Sequence, residues 1–193
     1  VADELGVELK VVDMDFDGLV PALTSGKGDM VAAGLTVTDE RKESVDFSDT
    51  YADATQKIIV PEGSEIASVD DLAGKTIGVQ LGTTGDIYAG DIEGATVKQY
   101  KSAIDAAMDL KNGKLDAVVV DQLPAENIVD SIEGLAICGD PFTEEQYAIA
   151  VAKGSDDLIE VINKVIEKLE ADGTVDQWIT ECADEFVGAD SSA

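Results

Sequence analysis

The stretch Met30-Val31-Ala32-Ala33-Gly34-Leu35-Thr36-Val37-Thr38-Asp39-Glu40-Arg41 decides how this chain is read. A short apolar run stops at a glycine and opens into a polar turn of backbone groups, threonine hydroxyls and one arginine. Arg41 is the only arginine in the sequence. A guanidinium fork meets a carboxylate bidentately, which an ammonium cannot do. The turn is therefore a candidate carboxylate clamp. The competing reading is a solvated turn on which Arg41 pairs with Asp39, Glu43 or Asp46, and spacing alone leaves both open.

Outward from this turn, short apolar runs alternate with helical patterns, which predicts α/β units. Val1–Gly6 reads as the end of a helix, and Val7–Val12 as a strand. Asp17–Leu23 reads as a helix capped by Asp17 and closed by Gly26, and Asp29–Ala33 as the next strand. Gln56–Val60 is strand-like and ends in the loop Pro61-Glu62-Gly63-Ser64. A second series follows. It comprises a capped turn at Ser68–Leu72, strand Thr76–Gln80, a helix from Gly82-Thr83-Thr84-Gly85 to about Tyr88, and strand Thr96–Tyr100. Ser102 then caps a helix with Ile104, Ala107, Met108 and Leu110 at helical spacing, stopped by Asn112-Gly113. Leu115–Val120, apolar but for Asp116, reads as a strand buried on both faces. Gln122–Ile132 reads as a helix and Leu135–Cys138 as a short strand. Tyr147–Ala152 is a further strand, followed by helices at Asp156–Glu170 and from Thr174 to about Ala183, and by a frayed tail from Gly188. Strands Gln56–Val60 and Tyr147–Ala152 bracket the second series. That order predicts an inserted lobe at 56–146, with 1–55 and 147–193 forming the other.

The chain has 193 residues, enough to bury a core, and its 45% apolar content suits a globular protein. A net charge of −28 disfavours nucleic acid, whose phosphates need clustered Lys and Arg, and anionic membrane surfaces equally. There is no histidine. That excludes Ser-His-Asp and Cys-His nucleophiles and histidine-ligated metals. Cys138 and Cys182 form no CxxC pair; they read as two free thiols, a disulfide being the alternative. No apolar run approaches the ~20 residues of a membrane span. Because Val1 already lies in a helical pattern and no signal peptide is visible, upstream sequence is expected.

Three candidate sites sit at the C-terminal ends of predicted strands, where open α/β sheets place ligands. The first is the Gly34–Arg41 turn. At the second, Gly82-Thr83-Thr84-Gly85, backbone N–H groups and a helix dipole suit an anion, with a plain strand–helix turn as the competing reading. The third is Asp121, after Val118-Val119-Val120. A carboxylate there is costly to desolvate unless a cation or donors meet it, and N-capping toward Ala125 competes. Taken together, an anion clamp, a second anion cradle and a cation acceptor match a zwitterionic α-amino acid.

Met14-Asp15-Phe16-Asp17-Gly18-Leu19-Val20-Pro21-Ala22-Leu23, the Gly34–Arg41 turn and Val45-Asp46-Phe47-Ser48-Asp49 resemble the polar amino-acid-binding proteins of bacterial ABC transporters. Gly74-Lys75-Thr76-Ile77-Gly78-Val79 with Gly82-Thr83-Thr84, Asp116–Asp121 and Tyr147-Ala148-Ile149-Ala150 match in the same order. The resemblance spans nearly the whole chain. It implies a two-lobed α/β clamshell of the type II periplasmic-binding-protein kind, with two hinge crossings, closing on its ligand. It also implies that Arg41 grips the ligand carboxylate, while Gly34 and Thr36 share the amino and carboxylate ends. Thr83 and Thr84 would add amides, Asp121 would take the ammonium, Phe16 would pack on the ligand side chain, and Gln80 would stand where selectivity is read. No cofactor and no metal is implied. The partners would be an amino acid and an ABC permease, the protein a monomer, and its location extracytoplasmic.

The resemblance also implies that lobe one here lacks the family's first strand and most of its first helix, with an acidic and an aromatic pocket residue, so weaker binding than in a complete parent is expected. Two other readings fit the same scaffold. One is a periplasmic cyclohexadienyl-dehydratase-like enzyme, for which Glu126 is the nearest acid to weigh. The other is the sensor domain of a membrane receptor.

Overall fold

A computed structural model describes residues 1–140 and 143–188, with side chains described through Glu181. In chain order the elements are α1 (Ala2–Leu5), α2 (Leu19–Thr24), β1 (Met30–Val31), α3 (Asp39–Ser44), β2 (Val45–Ala54) and β3 (Gln56–Pro61). Then come β4 (Thr76–Gln80), α4 (Thr84–Gly90), β5 (Thr96–Tyr100), α5 (Ala103–Lys111), β6 (Ala117–Asp121), α6 (Gln122–Ser131) and β7 (Leu135–Cys138). The chain ends with β8 (Glu145–Ala152), α7 (Asp156–Ala171) and α8 (Thr174–Gly188). It forms two compact units, one from Val1–Asp53 with Glu145–Glu181, the other built on Ala54–Glu144. The α/β alternation read from the sequence is the observed class, with one sheet in each unit.

The first unit holds a three-stranded sheet in the order β1-β8-β2. Successive residues of β8 face opposite sides of the sheet, so each side acquires its own core. Ala150 joins Leu23, Val31, Leu35 and Val45 on one side, while Val151 joins Ile162 and Ile166 of α7 on the other. The helical spacing of α7 therefore reports a real buried face. Ser48 stitches β2 to β8 by accepting from the Ile149 amide at 2.9 Å, and Asn163 of α7 accepts from the Asp49 amide at 2.9 Å.

Sequence reading and structure part in three places here. Val7–Val12 is not a strand: its residues are exposed, Val11 to 80%, and no strand among the described residues pairs with them. A β-pattern without a neighbouring ladder has nowhere to place its N–H and C=O groups except water. The Asp17 cap is also corrected. Residues Phe16–Gly18 form a 3-10 turn, and α2 begins only at Leu19 with no side-chain cap. Finally, β2 is a ten-residue strand in which three Asp and two Ala, poor strand formers, concealed the pattern.

The second unit holds a five-stranded mixed sheet in the order β5-β4-β6-β3-β7. The pairs β4–β5 and β4–β6 are parallel, whereas β3 is antiparallel to both β6 and β7. Val118 and Val120 face a core with Ala106, Ala107, Leu110, Ala125 and Ile128 from α5 and α6. Ala117 and Val119 face the other core, with Leu72 and Ala89. Double-sided burial is why this strand has no polar alternation. The local stop and start signals hold: Ser68 and Asp71 form a capping box, and the Ser102 hydroxyl caps α5 by accepting from the Asp105 amide.

Candidate binding site

The structure gathers the candidate residues into two groups, one per unit. In the first unit, Thr38 is the N-cap of α3, its hydroxyl accepting from the Arg41 amide at 3.1 Å. Asp39 and Glu40 follow in the first turn, where negative charge complements the helix dipole. This sets Arg41 so that its side chain turns back on the loop: Nη1 donates to the Thr36 carbonyl at 2.6 Å, and the guanidinium carbon lies 5.7 Å from the Phe16 ring centre. The cation–π contact and the carbonyl together fix the fork. Of the carboxylates weighed as surface partners, Asp39 lies 3.5 Å from Lys42, and Asp46 accepts from Lys153 and the Gly154 amide, each at 2.7 Å.

Thr36 is itself pinned. It is only 5% exposed, its hydroxyl donates to Glu145 Oε2 at 2.7 Å, and its backbone bridges Tyr147 in antiparallel fashion. The Val37 amide donates to the Gln146 carbonyl at 3.0 Å, and the Ala148 amide to the Leu35 carbonyl at 3.2 Å. Gly34 adopts φ +57°, and a Cβ there would lie 3.4 Å from the Tyr147 ring. A side chain at Gly34 would thus meet both the left-handed backbone and an aromatic wall. The rings of Tyr147 and Tyr51 are 6.3 Å apart and tilted at 45°. Burial pushes the Tyr51 phenol up from its ordinary range, against the smaller downward pull of a hydrogen bond from the Gly34 amide.

In the second unit, Gln80, Thr83, Thr84 and Asp121 cluster at the ends of β4 and β6. Thr83 caps α4: its hydroxyl donates to the Gln80 carbonyl at 2.8 Å and accepts from the Asp86 amide at 3.3 Å. The turn already holds an anion of its own, because Asp86 Oδ2 accepts from the Gly82 amide at 3.1 Å while Gln99 Nε2 donates to both Asp86 oxygens. The Gln80 side-chain amide donates to the Lys101 carbonyl at 3.0 Å, which ties it to the loop after β5. Asp121 stands at the N-cap position of α6 yet makes no side-chain capping bond. Its Oδ1 accepts instead from the side chain of Gln56, which also donates to the Thr84 hydroxyl at 3.1 Å. Capping is not what holds this carboxylate.

Gln56 and Glu145 were not legible as site residues. A glutamine opening the run Gln56-Lys57-Ile58-Ile59-Val60 is the one local hint, since a buried strand rarely spends a core position on an amide. Glu145 gives no local hint at all. Cys138 is a free, half-buried thiol whose pKa is raised, chiefly by burial and then by the Asp71 charge; the Cys182 side chain lies outside the described residues, as does the tail after Gly188 that was read as frayed. Among the described residues, no group of Cys, Asp and Glu is placed to hold a metal ion, and no helix is long and apolar enough to cross a membrane.

Residues 1–181 match the model of the bacterial extracellular solute-binding proteins, family 3. The L-cystine-binding protein TcyJ of Escherichia coli K12 is 34% identical over 194 residues, covering 98% of this chain and 71% of that protein. The L-arginine-binding protein of Pseudomonas aeruginosa PAO1 is 38% identical over 189 residues, covering 92% of this chain and 73% of its own. The crystal structure of the amino acid ABC transporter substrate-binding protein AbpA from Streptococcus pneumoniae, bound to L-arginine, superposes with a TM-score of 0.92 at 34% identity, covering 96% of this chain and 81% of that one.

Proposed function

The chain belongs to the bacterial extracellular solute-binding proteins, family 3, and on that premise we propose that it is a non-catalytic, extracytoplasmic receptor that binds an α-amino acid and delivers it to an ABC importer. The observation that carries this reading is Arg41, the single arginine, held by the Thr36 carbonyl and the Phe16 ring at the end of a capped turn. A fork fixed in this way is preorganised for a carboxylate. Gly34 and Thr36 supply the backbone beside it, and Phe16 an apolar face for the ligand side chain. The amides of Thr83 and Thr84 add donors for the carboxylate, the Thr83 amide exchanging its 3.3 Å bond to the Gln80 carbonyl for the ligand. Asp121 accepts from the ammonium, and Gln80 reads the side chain. The protein works as a monomer, with the amino-acid ligand and an ABC permease as its partners and no cofactor.

The named relatives are binding proteins for L-cystine and for L-arginine, so the shared chemistry is the amino-acid head group rather than one side chain. A few charge-assisted contacts of about 1.5–3 kcal/mol each, less the costs of association, suffice for a micromolar complex near −8 kcal/mol. Calorimetric titration of the chain with L-arginine, L-glutamine, L-histidine and L-cystine tests the reading. Binding of at least one of them without turnover, lost in Arg41→Ala, is the expected result. Retention of near-native affinity by Arg41→Ala would refute the assigned role.

A further inference from the structure

Gln56 is the first residue of β3 and lies directly across the antiparallel ladder from Asp121, the last residue of β6. It is 1% exposed. Every other fully buried side chain of β3 is aliphatic, and an amide in such a position is tolerated only when its donors are satisfied. Here both are. The two protons of Nε2 go to two different acceptors, Asp121 Oδ1 and Thr84 Oγ1. The reverse amide orientation would set the carbonyl oxygen against a carboxylate, so the acceptors themselves fix which way the group points. Oε1 is buried and accepts no hydrogen bond from the described residues. It rests over Gly85, where a Cβ would lie 2.8 Å from it and 3.2 Å from the Val119 carbonyl. The missing side chain at Gly85 is what leaves room for the amide.

The backbone of Gln56 is held as firmly. Its amide donates to the Thr143 hydroxyl at 2.7 Å, while the neighbouring Thr55 hydroxyl donates to the Thr143 carbonyl at 2.7 Å and the Thr55 carbonyl accepts from the Gln122 amide at 2.9 Å. One rigid neutral side chain therefore spans the start of α4 and the end of β6, two elements that each contribute a proposed ligand contact.

We infer that Gln56 is the positioning residue of this half-site: its side-chain amide orients the Asp121 carboxylate toward a ligand ammonium and sets the Thr84 hydroxyl beside it. This rests on the reading of Asp121 as the ammonium acceptor. A neutral donor suits the task, because it steadies the carboxylate without cancelling the negative charge that the ammonium seeks. Lysine or arginine at the same position would neutralise it. A positioned acceptor favours ligands that carry the α-amine over those that lack it, whereas a purely structural amide would affect both alike.

The test therefore compares each ligand with its desamino counterpart. L-Arginine, L-glutamine and L-histidine are titrated alongside 5-guanidinopentanoate, 4-carbamoylbutanoate and imidazolepropionate, against wild type, Gln56→Met, Asp121→Asn and the double variant. Methionine keeps the unbranched shape and removes the donors. In Gln56→Met the preference for the amine-bearing member is expected to fall by about tenfold, the worth of one hydrogen bond to a charged group. The desamino affinity falls by much less, since those ligands offer Asp121 no ammonium. In the Asp121→Asn background the same change should reduce the preference no further, since the two act as one unit. An unaltered preference in folded Gln56→Met overturns the inference while leaving the receptor reading intact. A wild-type protein that binds none of the amino acids overturns both. Should Gln56→Met fail to fold, Gly85→Ala serves instead by crowding Oε1, with a reduced preference supporting the inference and an unchanged one overturning it.

Discussion

The Thr36 hydroxyl donates to the Glu145 carboxylate at 2.7 Å, across 109 residues of sequence and with both side chains more than nine-tenths buried. The loop that presents Arg41 is thus fastened to the first residue of β8 as well as to its own neighbours. Thr36→Val deletes the donor and keeps the shape. It should destabilise the protein by about 1–3 kcal/mol in denaturant unfolding, because a buried carboxylate loses a donor. Pairing it with Glu145→Gln should cost less than the sum of the two single changes.

Arg41→Lys keeps the charge but loses the fork. The Thr36 carbonyl and the Phe16 ring still find a cation, so stability should change by less than about 1 kcal/mol. Affinity for an α-amino acid should nevertheless fall about tenfold or more, since a point charge cannot match a carboxylate with two parallel bonds. Calorimetry together with a melting curve separates the two effects.

Gly78, in the middle of β4, has no room for a side chain. An added Cβ would sit 2.6 Å from Leu115 Cδ1, 3.1 Å from Ala106 Cβ and 3.3 Å from Val118 Cγ2. Gly78→Ala should cost about 1–3 kcal/mol by overpacking the contact between the strand and α5. Hydrogen exchange should place the loosened amides in β4, β6 and α5, with the first unit's amides unaffected.

The Asp46 carboxyl is held below the ordinary carboxylate range, first by the Lys153 hydrogen bond and then by the Gly154 amide. Its pKa is lower folded than unfolded, so on acidification the unfolded chain takes up the proton first. The contribution is complete above the unfolded value of about 3.9 and is lost as pH falls through the folded one. Asp46→Asn should therefore melt below wild type at pH 7, with the gap closing below about pH 4. A gap that is constant from pH 7 to pH 3 would count against the ion pair as its source.

Much of this architecture can be read locally. The capping box at Ser68 and Asp71, the Ser102 cap and the apolar face of α7 all act within a few residues, and each lies where the pattern puts it. Ala117–Val120 shows its double burial directly as an unbroken apolar run. Val7–Val12 carries an alternating strand pattern and forms no strand, because a strand exists only through a partner and a pattern cannot supply one.

The sequence by itself determined the α/β alternation, the polar turn that carries Arg41, and the placing of Thr83, Thr84 and Asp121 at strand ends; the Thr38 cap and the short helix behind Arg41 came only with the structure. The first three follow from periodicity, backbone propensity and turn chemistry, which are short-range. Only the tertiary structure decided what fastens them. Gln56 reaches Asp121 across 65 residues and Glu145 reaches Thr36 across 109. The antiparallel register of β3 on β6 and the Thr36–Tyr147 bridge set those pairings. Such a register is fixed by packing the whole sheet, so a buried polar partner leaves no mark in the residues beside it.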